Sequence, residues 1–341
     1  ALPLPREFVF ALEAENYVEK IYYDVDVKPL QMPTVPEEGV YDFLIANKYK
    51  VKGTSTYWTK KILGAETAHI KGFYGYGVKV AVCDTGAFHL PGLEKVKLRK
   101  VVGVTDVDVA QGHGVHVSST ICSRHVIDER VSKKIGKAIP VEGMSPGVDC
   151  YSIKCLEFYG GQTSWVIKAI EDSVFKYNVD VINMSLGGPL QAGKPEDDPM
   201  YHPLKVCCDL NKIPCAASGN EGKGNLSSPG SLPVCLRVGA YDPVKGKVAK
   251  FTSRGRTPWG EIVPDVVMPG VWIYAHATGE CDLVDSYITG YSSLSGTSMS
   301  CPHASGIISL MKEAHRKLLG KELTLDLSLI HISEPTRPRL I

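Results

Sequence analysis

Short, nearly continuous apolar segments recur along the chain from about residue 72. Five of them have the length of a strand and span residues 78–84, 150–156, 179–186, 212–218 and 234–240. Stretches with helical spacing lie between them, including residues 163–178 and 200–211. Continuous apolar strands that alternate with helices are typical of a parallel sheet covered on both faces. The pattern therefore predicts a doubly wound, three-layer α/β/α domain with a mostly parallel central sheet.

The first 53 residues follow a different pattern. Ile21, Tyr23, Val25 and Val27 alternate with polar residues, which predicts an amphipathic strand. The Pro-rich segment 28–39 comes next and predicts an extended linker. We therefore expect four regions along the chain. They are a small α+β unit at 1–31, a linker at 32–53, the main domain at 54–325 and a separate tail at 326–341.

Composition narrows the class of protein. The chain has 341 residues, 44% of them hydrophobic, which fits one large globular domain with a small appendage. Lys and Arg together number 38 against 37 Asp and Glu, without a block of like charge, so we expect no nucleic-acid partner. No apolar run approaches about 18 residues, so we expect no membrane span. The chain begins at Ala1, which is compatible with a processed protein or a fragment.

Ten cysteines are spread along the chain without the CxxC pairs of a zinc site. Several lie in apolar runs, among them Cys83, Cys155 and Cys215. Free cysteine is among the most buried residue types, so we interpret these cysteines as small core residues. The even count permits disulfides without requiring them, and the cellular compartment stays open on this observation.

Four segments carry polar residues suited to acyl transfer. Peptide hydrolysis needs a nucleophile, a base, a group that orients the base and donors for the oxyanion. Asp84 ends a predicted strand, His113 lies between two glycines before a helical stretch, and Asn220 follows another strand. Ser298 precedes the apolar helical run that begins at about residue 304. In chain order, these segments supply an orienting carboxylate, a base, an oxyanion donor and a nucleophile.

The position of Ser298 before a helix has a physical consequence. The first turn of a helix presents free N–H groups and the positive end of the helix dipole. Gly296 leaves room for a substrate backbone, and we expect Pro302 to lie in the first turn, where no N–H is needed. The Ser298 N–H and the Asn220 side chain then form a predicted oxyanion hole.

The motifs AVCDTG, GHGVHV, AASGNEG and SGTSMSCPHASG resemble those of subtilisin-like serine peptidases, the subtilase family. The similarity runs from about Trp58 to Leu318. It implies a serine endopeptidase with the triad Asp84, His113 and Ser298, an acyl-enzyme intermediate and no cofactor. We see no carboxylate cluster in the loop 123–146 that would predict bound calcium.

The resemblance also assigns residues that bind substrate. In the segment VDVINMSLGG, Ser185, Leu186 and Gly187 would offer backbone groups to an extended peptide, and Gly160 and Gly161 would form the opposite edge. Glu221 follows the oxyanion Asn220 in the sequence. It would either line the primary specificity pocket and favour a basic residue there, or lie solvated at the rim.

Residues 8–31 resemble the end of the family's inhibitory propeptide. The resemblance implies a self-processing zymogen, inhibited by its own propeptide and cleaved between about residues 28 and 54. It further implies polypeptide substrates, a monomer and a location outside the cell or in the secretory-pathway lumen. Residues 327–337, LSLIHISEPTR, resemble a translated sequencing adapter, so we interpret 326–341 as a tail foreign to the protein. A chain truncated there would leave apolar surface uncovered.

Other interpretations fit the same residues less well. Asp84-Thr85-Gly86 could be half of an aspartic-protease dyad, but the chain has no second such motif. His113 and His116 lack the HExxH glutamate of a zinc motif, and we interpret His116 and His303 as structural. The rival from another functional class is an inactive subtilase-like binding protein. The intact set of four polar groups favours the enzyme.

Overall fold

The computed structural model describes residues 32–45, 49–106, 112–157, 160–278 and 290–326. The strands are β1 Tyr41–Ile45, β2 Tyr49–Ser55, β3 Lys79–Asp84, β4 Lys97–Lys100, β5 Val126–Ile127, β6 Pro140–Val141, β7 Asp149–Lys154, β8 Val181–Met184, β9 Gly188–Pro189, β10 Ile213–Ala217, β11 Ser227–Ser228, β12 Leu236–Asp242, β13 Lys247–Val248, β14 Gly255–Arg256, β15 Ile262–Val263, β16 Val266–Pro269, β17 Ile273–His276 and β18 Tyr291–Leu294. The α-helices are α1 Thr56–Ile62, α2 Ala65–Ile70, α3 Gly112–Cys122, α4 Glu129–Ile135, α5 Thr163–Glu171, α6 Tyr201–Asp209 and α7 Thr297–Leu319.

The central sheet has eight strands in the order β13-β12-β10-β8-β3-β7-β4, with β16 also paired to β12. Every pair in this sheet is parallel except β12 with β13. Each of the five predicted apolar segments overlaps one of its strands, so the predicted mostly parallel sheet is confirmed. Because β3 is parallel to both β7 and β8, the carboxyl ends of these three strands lie at one edge of the sheet.

Both faces of the sheet are covered by helices. On one face, Val80 and Val82 of β3 pack in a cluster with Val117 of α3 and Ile308 of α7. On the other face, the alternate residues of β3, including Cys83, pack with residues of α5 and α6. Successive side chains of a strand point to opposite faces, so a strand between two helical layers must be apolar at every position. This arrangement confirms the three-layer α/β/α fold.

A second sheet has four strands in the order β1-β2-β17-β18. Strands β1 and β2 form an antiparallel hairpin, and β2 pairs in parallel with β17. The Phe43 ring of β1 is buried and stacks on Tyr274 of β17, with 4.7 Å between ring centroids. Much of the segment 32–53, expected to be a linker, is therefore paired structure. Its alternating apolar residues Tyr41 and Phe43 supply the buried face that a linker lacks.

Some sequence predictions lie outside the described residues. These are the propeptide unit at 1–31 and nearly all of the tail at 326–341. The nine cysteines in the described part of the chain are free, and all but Cys208 are buried, as expected for core residues. The Ser228–Pro229 peptide bond is cis. Within the described ranges, no helix combines the length and the apolar character needed to cross a membrane.

Candidate active site

The predicted site residues meet at the carboxyl edge of the central sheet. Asp84 is the last residue of β3, Ser185 follows β8 directly, and Asn220 lies three residues beyond the end of β10. Strands β3 and β8 are neighbours, and so are β8 and β10. Helices α3 and α7 carry His113 and Ser298 in their first turns. Residues more than 200 positions apart in the chain therefore converge because parallel strands end at the same side of the sheet.

Asp84 and His113 form an ion-pair contact. The His113 Nδ1 atom lies 2.8 Å from Asp84 Oδ1, and the Asp84 side chain is fully buried. The Thr85 backbone N–H donates to the same carboxylate oxygen at 2.7 Å. Burial lowers the pKa of His113, but the charge of Asp84 and its hydrogen bond outweigh this effect and raise the pKa above its ordinary value. The carboxylate therefore orients the imidazole and favours its protonated form.

The glycine after His113 permits this approach. A Cβ atom on Gly114 would lie 2.2 Å from the Gly86 carbonyl oxygen, which no side chain tolerates. The first turn of α3 therefore rests directly on the backbone that follows Asp84. Glycine at position 114 of the GHG sequence is therefore required for steric reasons, whatever the chemistry of the neighbouring histidine.

Ser298 and Ser185 exchange two hydrogen bonds. The Ser298 hydroxyl donates to the Ser185 carbonyl oxygen at 3.1 Å, and the Ser185 hydroxyl donates to the Ser298 carbonyl oxygen at 2.9 Å. The second bond depends on Pro302. In a regular helix the N–H of residue 302 would donate to the carbonyl of residue 298, but proline has no N–H. Ser185 supplies the missing donor.

The position of Pro302 differs from the sequence expectation. Helix α7 begins at Thr297, so Pro302 is its sixth residue and lies beyond the first turn. Ser298 lies at the start of the helix as expected, but the first turn ends before residue 302. Pro302 therefore leaves the carbonyl of Ser298, the predicted nucleophile, without its helical donor.

The Asn220 side chain is held in one orientation by Thr297. Both the Thr297 backbone N–H and its hydroxyl donate to Asn220 Oδ1, at 2.9 and 3.0 Å. The amide Nδ2 is thereby left to donate elsewhere. A Cβ atom built on Gly296 would lie 3.6 Å from both Asn220 Nδ2 and the Ser298 backbone nitrogen. The two predicted oxyanion donors therefore border the same small space, which glycine keeps open. Sequence reasoning missed Thr297, although it is the immediate neighbour of Ser298.

A cavity of about 780 Å³ opens beside Ser298. Its lining includes Leu186, Gly187, Asn220 and Glu221, four of the residues predicted to bind substrate or oxyanion. The Glu221 side chain is exposed, so its charge is open to solvent at the cavity. Residues 185–187, here called the first edge, continue into β9, which pairs antiparallel with β11. Backbone pairing thus supports this side of the cavity.

Glu157, Gly160 and Gly161, here called the second edge, follow β7 on the other side of β3. Glu157 and Gly160 exchange two backbone hydrogen bonds of 2.9 and 3.0 Å, and Gly160 has a positive φ of 107°. Gly160 and Gly161 are exposed, as a peptide-binding edge requires. Since β3 lies between β8 and β7 in the sheet, the two edges flank Asp84. Their role as opposite walls of a peptide-binding cleft stays a prediction.

A side-chain network holds the second edge. The Glu157 carboxylate accepts from the Thr105 hydroxyl at 2.9 Å and pairs with the buried ammonium of Lys154 at 3.3 Å. Lys154 Nζ also donates to Thr105 Oγ1 at 2.7 Å. Burial raises the pKa of Glu157, but the hydrogen bonds from Thr105 and Lys154 outweigh it and lower the pKa. The sequence carries no local signal for this network because Thr105 lies about 50 residues before Glu157.

The two other histidines of the motifs are structural, as expected. His116 is fully buried, its Nε2 donates to the Ile273 carbonyl at 2.9 Å, and burial lowers its pKa to about 3. His303 contacts the Met299 carbonyl and the Thr59 hydroxyl, and burial lowers its pKa to about 4. Within the described ranges there is no group of three or more His, Cys, Asp or Glu side chains arranged to hold a metal ion.

The sequence model of the subtilase family matches residues 75–329. Subtilisin Savinase from Lederbergia lenta is 30% identical over 258 residues, which cover 75% of this chain and 84% of that protein. M-protease from Shouchella clausii is also 30% identical over 258 residues, and subtilisin E from Bacillus subtilis is 32% identical over 264 residues.

The matched part of the two longer relatives is limited. The similarity covers 75% of this chain and 59% of M-protease, and 74% of this chain and 59% of subtilisin E. The family match, residues 75–329, includes the segments that carry the four predicted chemical groups.

Proposed function

Because the chain belongs to the subtilase family, we propose that it is a serine endopeptidase that hydrolyses peptide bonds through Asp84, His113 and Ser298. The observation that carries the proposal is the convergence of four groups at one sheet edge. Asp84 contacts His113 at 2.8 Å, while Asn220 Nδ2 and the Ser298 N–H border the same glycine-lined space. A base with its orienting carboxylate and a serine beside two oxyanion donors are the parts that acyl transfer needs.

The reaction begins when the Ser298 hydroxyl turns from the Ser185 carbonyl to His113 Nε2. His113 takes the hydroxyl proton as Ser298 Oγ attacks the peptide carbonyl, and Asp84 stabilises the imidazolium that forms. The oxyanion receives hydrogen bonds from Asn220 Nδ2 and the Ser298 N–H. His113 then gives its proton to the leaving amine. Water, activated by His113 in the same way, hydrolyses the ester on Ser298.

The substrate is an extended polypeptide that lies between the first edge and the second edge. Peptides that add to exposed strand edges gain affinity from main-chain hydrogen bonds, and pockets for alternate side chains give specificity. Glycines at 160, 161 and 187 leave backbone groups accessible on both walls. The side chain that precedes the cleaved bond enters the cavity beside Leu186 and Glu221. No cofactor takes part.

The protein is made as a zymogen in this proposal. Residues 1–31 form the C-terminal part of an inhibitory propeptide, and the enzyme cleaves itself between about residues 28 and 54. It then acts as a monomer outside the cell or in the lumen of the secretory pathway. The family membership and the propeptide resemblance support these points.

The test compares the intact mass of the full chain with that of a Ser298→Ala version. We expect the wild type to lose an N-terminal piece that ends between residues 28 and 54, while the variant keeps its full mass. A fluorophosphonate probe should label wild type once, at Ser298, and leave the variant unlabelled.

The competing function, an inactive binding protein of the same fold, gives a different result. In that case both chains keep their full mass and the probe labels neither. A circular-dichroism spectrum decides whether such a result concerns function or folding. A folded spectrum with no labelling would overturn the peptidase proposal, whereas an unfolded one would show that the chain needs further segments to fold.

A further inference from the structure

A buried amide interrupts strand β8, which leads directly to the first edge. The strand has the sequence VINM, and Asn183 is its one polar residue, with a side chain that is 0% exposed. Its register partners in the sheet are Val82 of β3 and Cys215 of β10. An amide among apolar groups destabilises a fold unless it is hydrogen-bonded. An asparagine at this position therefore needs partners of its own.

Both ends of the Asn183 amide are hydrogen-bonded to serine hydroxyls. The Nδ2 atom donates to Ser185 Oγ at 3.0 Å, and Ser305 Oγ donates to Asn183 Oδ1 at 2.9 Å. Both serines are buried, so solvent does not compete for either bond. The amide thus joins the residue that follows β8 to the helix α7.

The Ser298 carbonyl fixes the direction of these bonds. A carbonyl oxygen only accepts, so the Ser185 hydroxyl, 2.9 Å away, gives its single proton to this oxygen. Ser185 Oγ can then only accept from Asn183, which requires the amide nitrogen, and not the amide oxygen, to face Ser185. The amide oxygen is left to accept from Ser305. Three hydrogen bonds therefore run in one direction, from Ser305 through Asn183 and Ser185 to the backbone of Ser298.

The two ends of this chain of bonds lie on one side of α7. Residues 298 and 305 are seven positions apart, which is about two turns of a helix. Pro302 lies between them and removes the helical donor to the Ser298 carbonyl. Asn183 therefore connects α7 to β8 on both sides of the interrupted turn.

We propose that Asn183 is a positioning residue of the peptidase, which holds the Ser185 hydroxyl in the orientation that donates to the Ser298 carbonyl. The inference rests on the proposed function of Ser298. Asn183 contacts neither the substrate nor the reacting atoms and acts only through Ser185. Without the amide nitrogen, the Ser185 hydroxyl is free to rotate, and the backbone that carries the nucleophile and its oxyanion N–H loses a fixed support. Small displacements of reacting groups slow catalysis markedly.

The test uses Asn183→Leu in the full, active chain. Leucine has the same branched outline and suits the apolar surroundings. Ser305 keeps an acceptor, since its hydroxyl also lies 3.2 Å from the Cys301 carbonyl. The variant should therefore fold with a Tm close to that of wild type. We expect kcat on a short chromogenic peptide to fall about fivefold with KM unchanged, after active sites are counted by end-point labelling with a fluorophosphonate.

A double-mutant cycle separates positioning from a general structural role. If Asn183 acts through Ser185, Asn183→Leu combined with Ser185→Ala should have the same kcat as Ser185→Ala alone, because the amide has no hydroxyl left to orient. Ser309→Ala is the matched control. Its buried hydroxyl donates to the Ser305 carbonyl at 2.8 Å within α7, outside the chain of bonds, so kcat should not change.

Asn183→Ala, which leaves space instead of filling it, is the second variant and should show the same loss of kcat and the same dependence on Ser185. The inference is wrong if the folded Asn183 variants keep the wild-type kcat, or if their effects multiply with that of Ser185→Ala. A wild type that neither reacts with the fluorophosphonate nor cleaves the peptide would instead overturn the proposed function, and this inference with it.

Discussion

The two edges of the proposed cleft are built in different ways. The first edge, residues 185–187, is joined to the proposed nucleophile by the two hydrogen bonds between Ser185 and Ser298 and continues into the paired strand β9. The second edge, at Glu157, Gly160 and Gly161, has a two-residue bridge of its own and is tied to Thr105 through a carboxylate. One wall is therefore bonded to the proposed nucleophile itself, whereas the side chain of the other is bonded to Thr105, which is not among the proposed catalytic residues.

The difference separates two kinds of effect. A change at the first edge moves the nucleophile's backbone and should alter kcat, because transition-state contacts require accurate placement of the reacting atoms. A change at the second edge alters only how the peptide is held and should alter KM. Substitutions that affect proton transfer or oxyanion binding leave both edges intact. Their effects on kcat are the reference with which the effects of substitutions at the two edges are compared.

The largest effect is expected for Asp84→Asn, which leaves both edges unchanged. We expect kcat to fall about 10⁴-fold, because the imidazole loses the carboxylate that holds it in the correct tautomer. Asp149→Asn, which alters an exposed carboxylate at the opposite end of a neighbouring strand, is the matched control and should retain activity. A retained kcat in Asp84→Asn would remove Asp84 from the mechanism.

The same variant makes a prediction for pH dependence. The proposed reaction needs neutral His113, and Asp84 raises the pKa of His113 above its ordinary value. Wild-type kcat/KM should therefore increase as the pH rises through a value above about 6.5, and in Asp84→Asn the midpoint should move to lower pH. A pH–rate profile of both enzymes measures the shift, and an unchanged midpoint would contradict the assignment.

Asn220→Ala should have the next largest effect. Loss of one oxyanion donor costs about 10²–10³-fold in kcat, with little change in KM, since the donor acts on charge that develops in the transition state. Thr297→Val removes one of the two bonds that orient the amide, so a smaller decrease is expected. A rise in KM with kcat unchanged for Asn220→Ala would indicate a binding role instead.

Ser185→Ala tests the connection between the first edge and the nucleophile. We expect kcat to fall about tenfold, because the Ser298 carbonyl is left without a donor at a position where proline already removed the helical one. Adding Pro302→Ala restores an N–H at residue 302, so the double variant should recover part of the loss. No recovery would mean that the Ser185 hydroxyl acts in another way.

Glu157→Gln should have the smallest effect and act only on long substrates. The amide cannot pair with Lys154 as a charge, so we expect KM to rise about threefold to fivefold for peptides that reach the second edge, with kcat unchanged. Short chromogenic substrates that do not reach this edge should show no change. Glu171→Gln, a half-exposed glutamate on α5, is the matched control. A decrease in kcat with short substrates would mean that Glu157 acts on the catalytic step. The proposed difference between the two edges would then be wrong.

The sequence alone determined the fold class of this protein and the places of its main site residues. Continuous apolar segments specified the buried strands, and their alternation with helices specified the parallel order, because only a sheet covered on both faces needs strands that are apolar at every position. Local motifs predicted that Asp84 and Asn220 lie at or just beyond the ends of strands. They also predicted that Ser298 lies at the start of a helix. Their convergence followed from the rule that parallel strands end at one edge.

Other features were decided only by the tertiary structure. The hydroxyl of Ser185 reaches a carbonyl freed by Pro302, and Glu157 reaches Thr105. The hairpin of β1 and β2 finds its parallel partner in β17, more than 200 residues away along the chain. These contacts join residues that are distant in sequence, and their geometry depends on how whole helices and strands pack. Local patterns determine which elements form, whereas the partner of each polar group depends on what packing brings within hydrogen-bond distance.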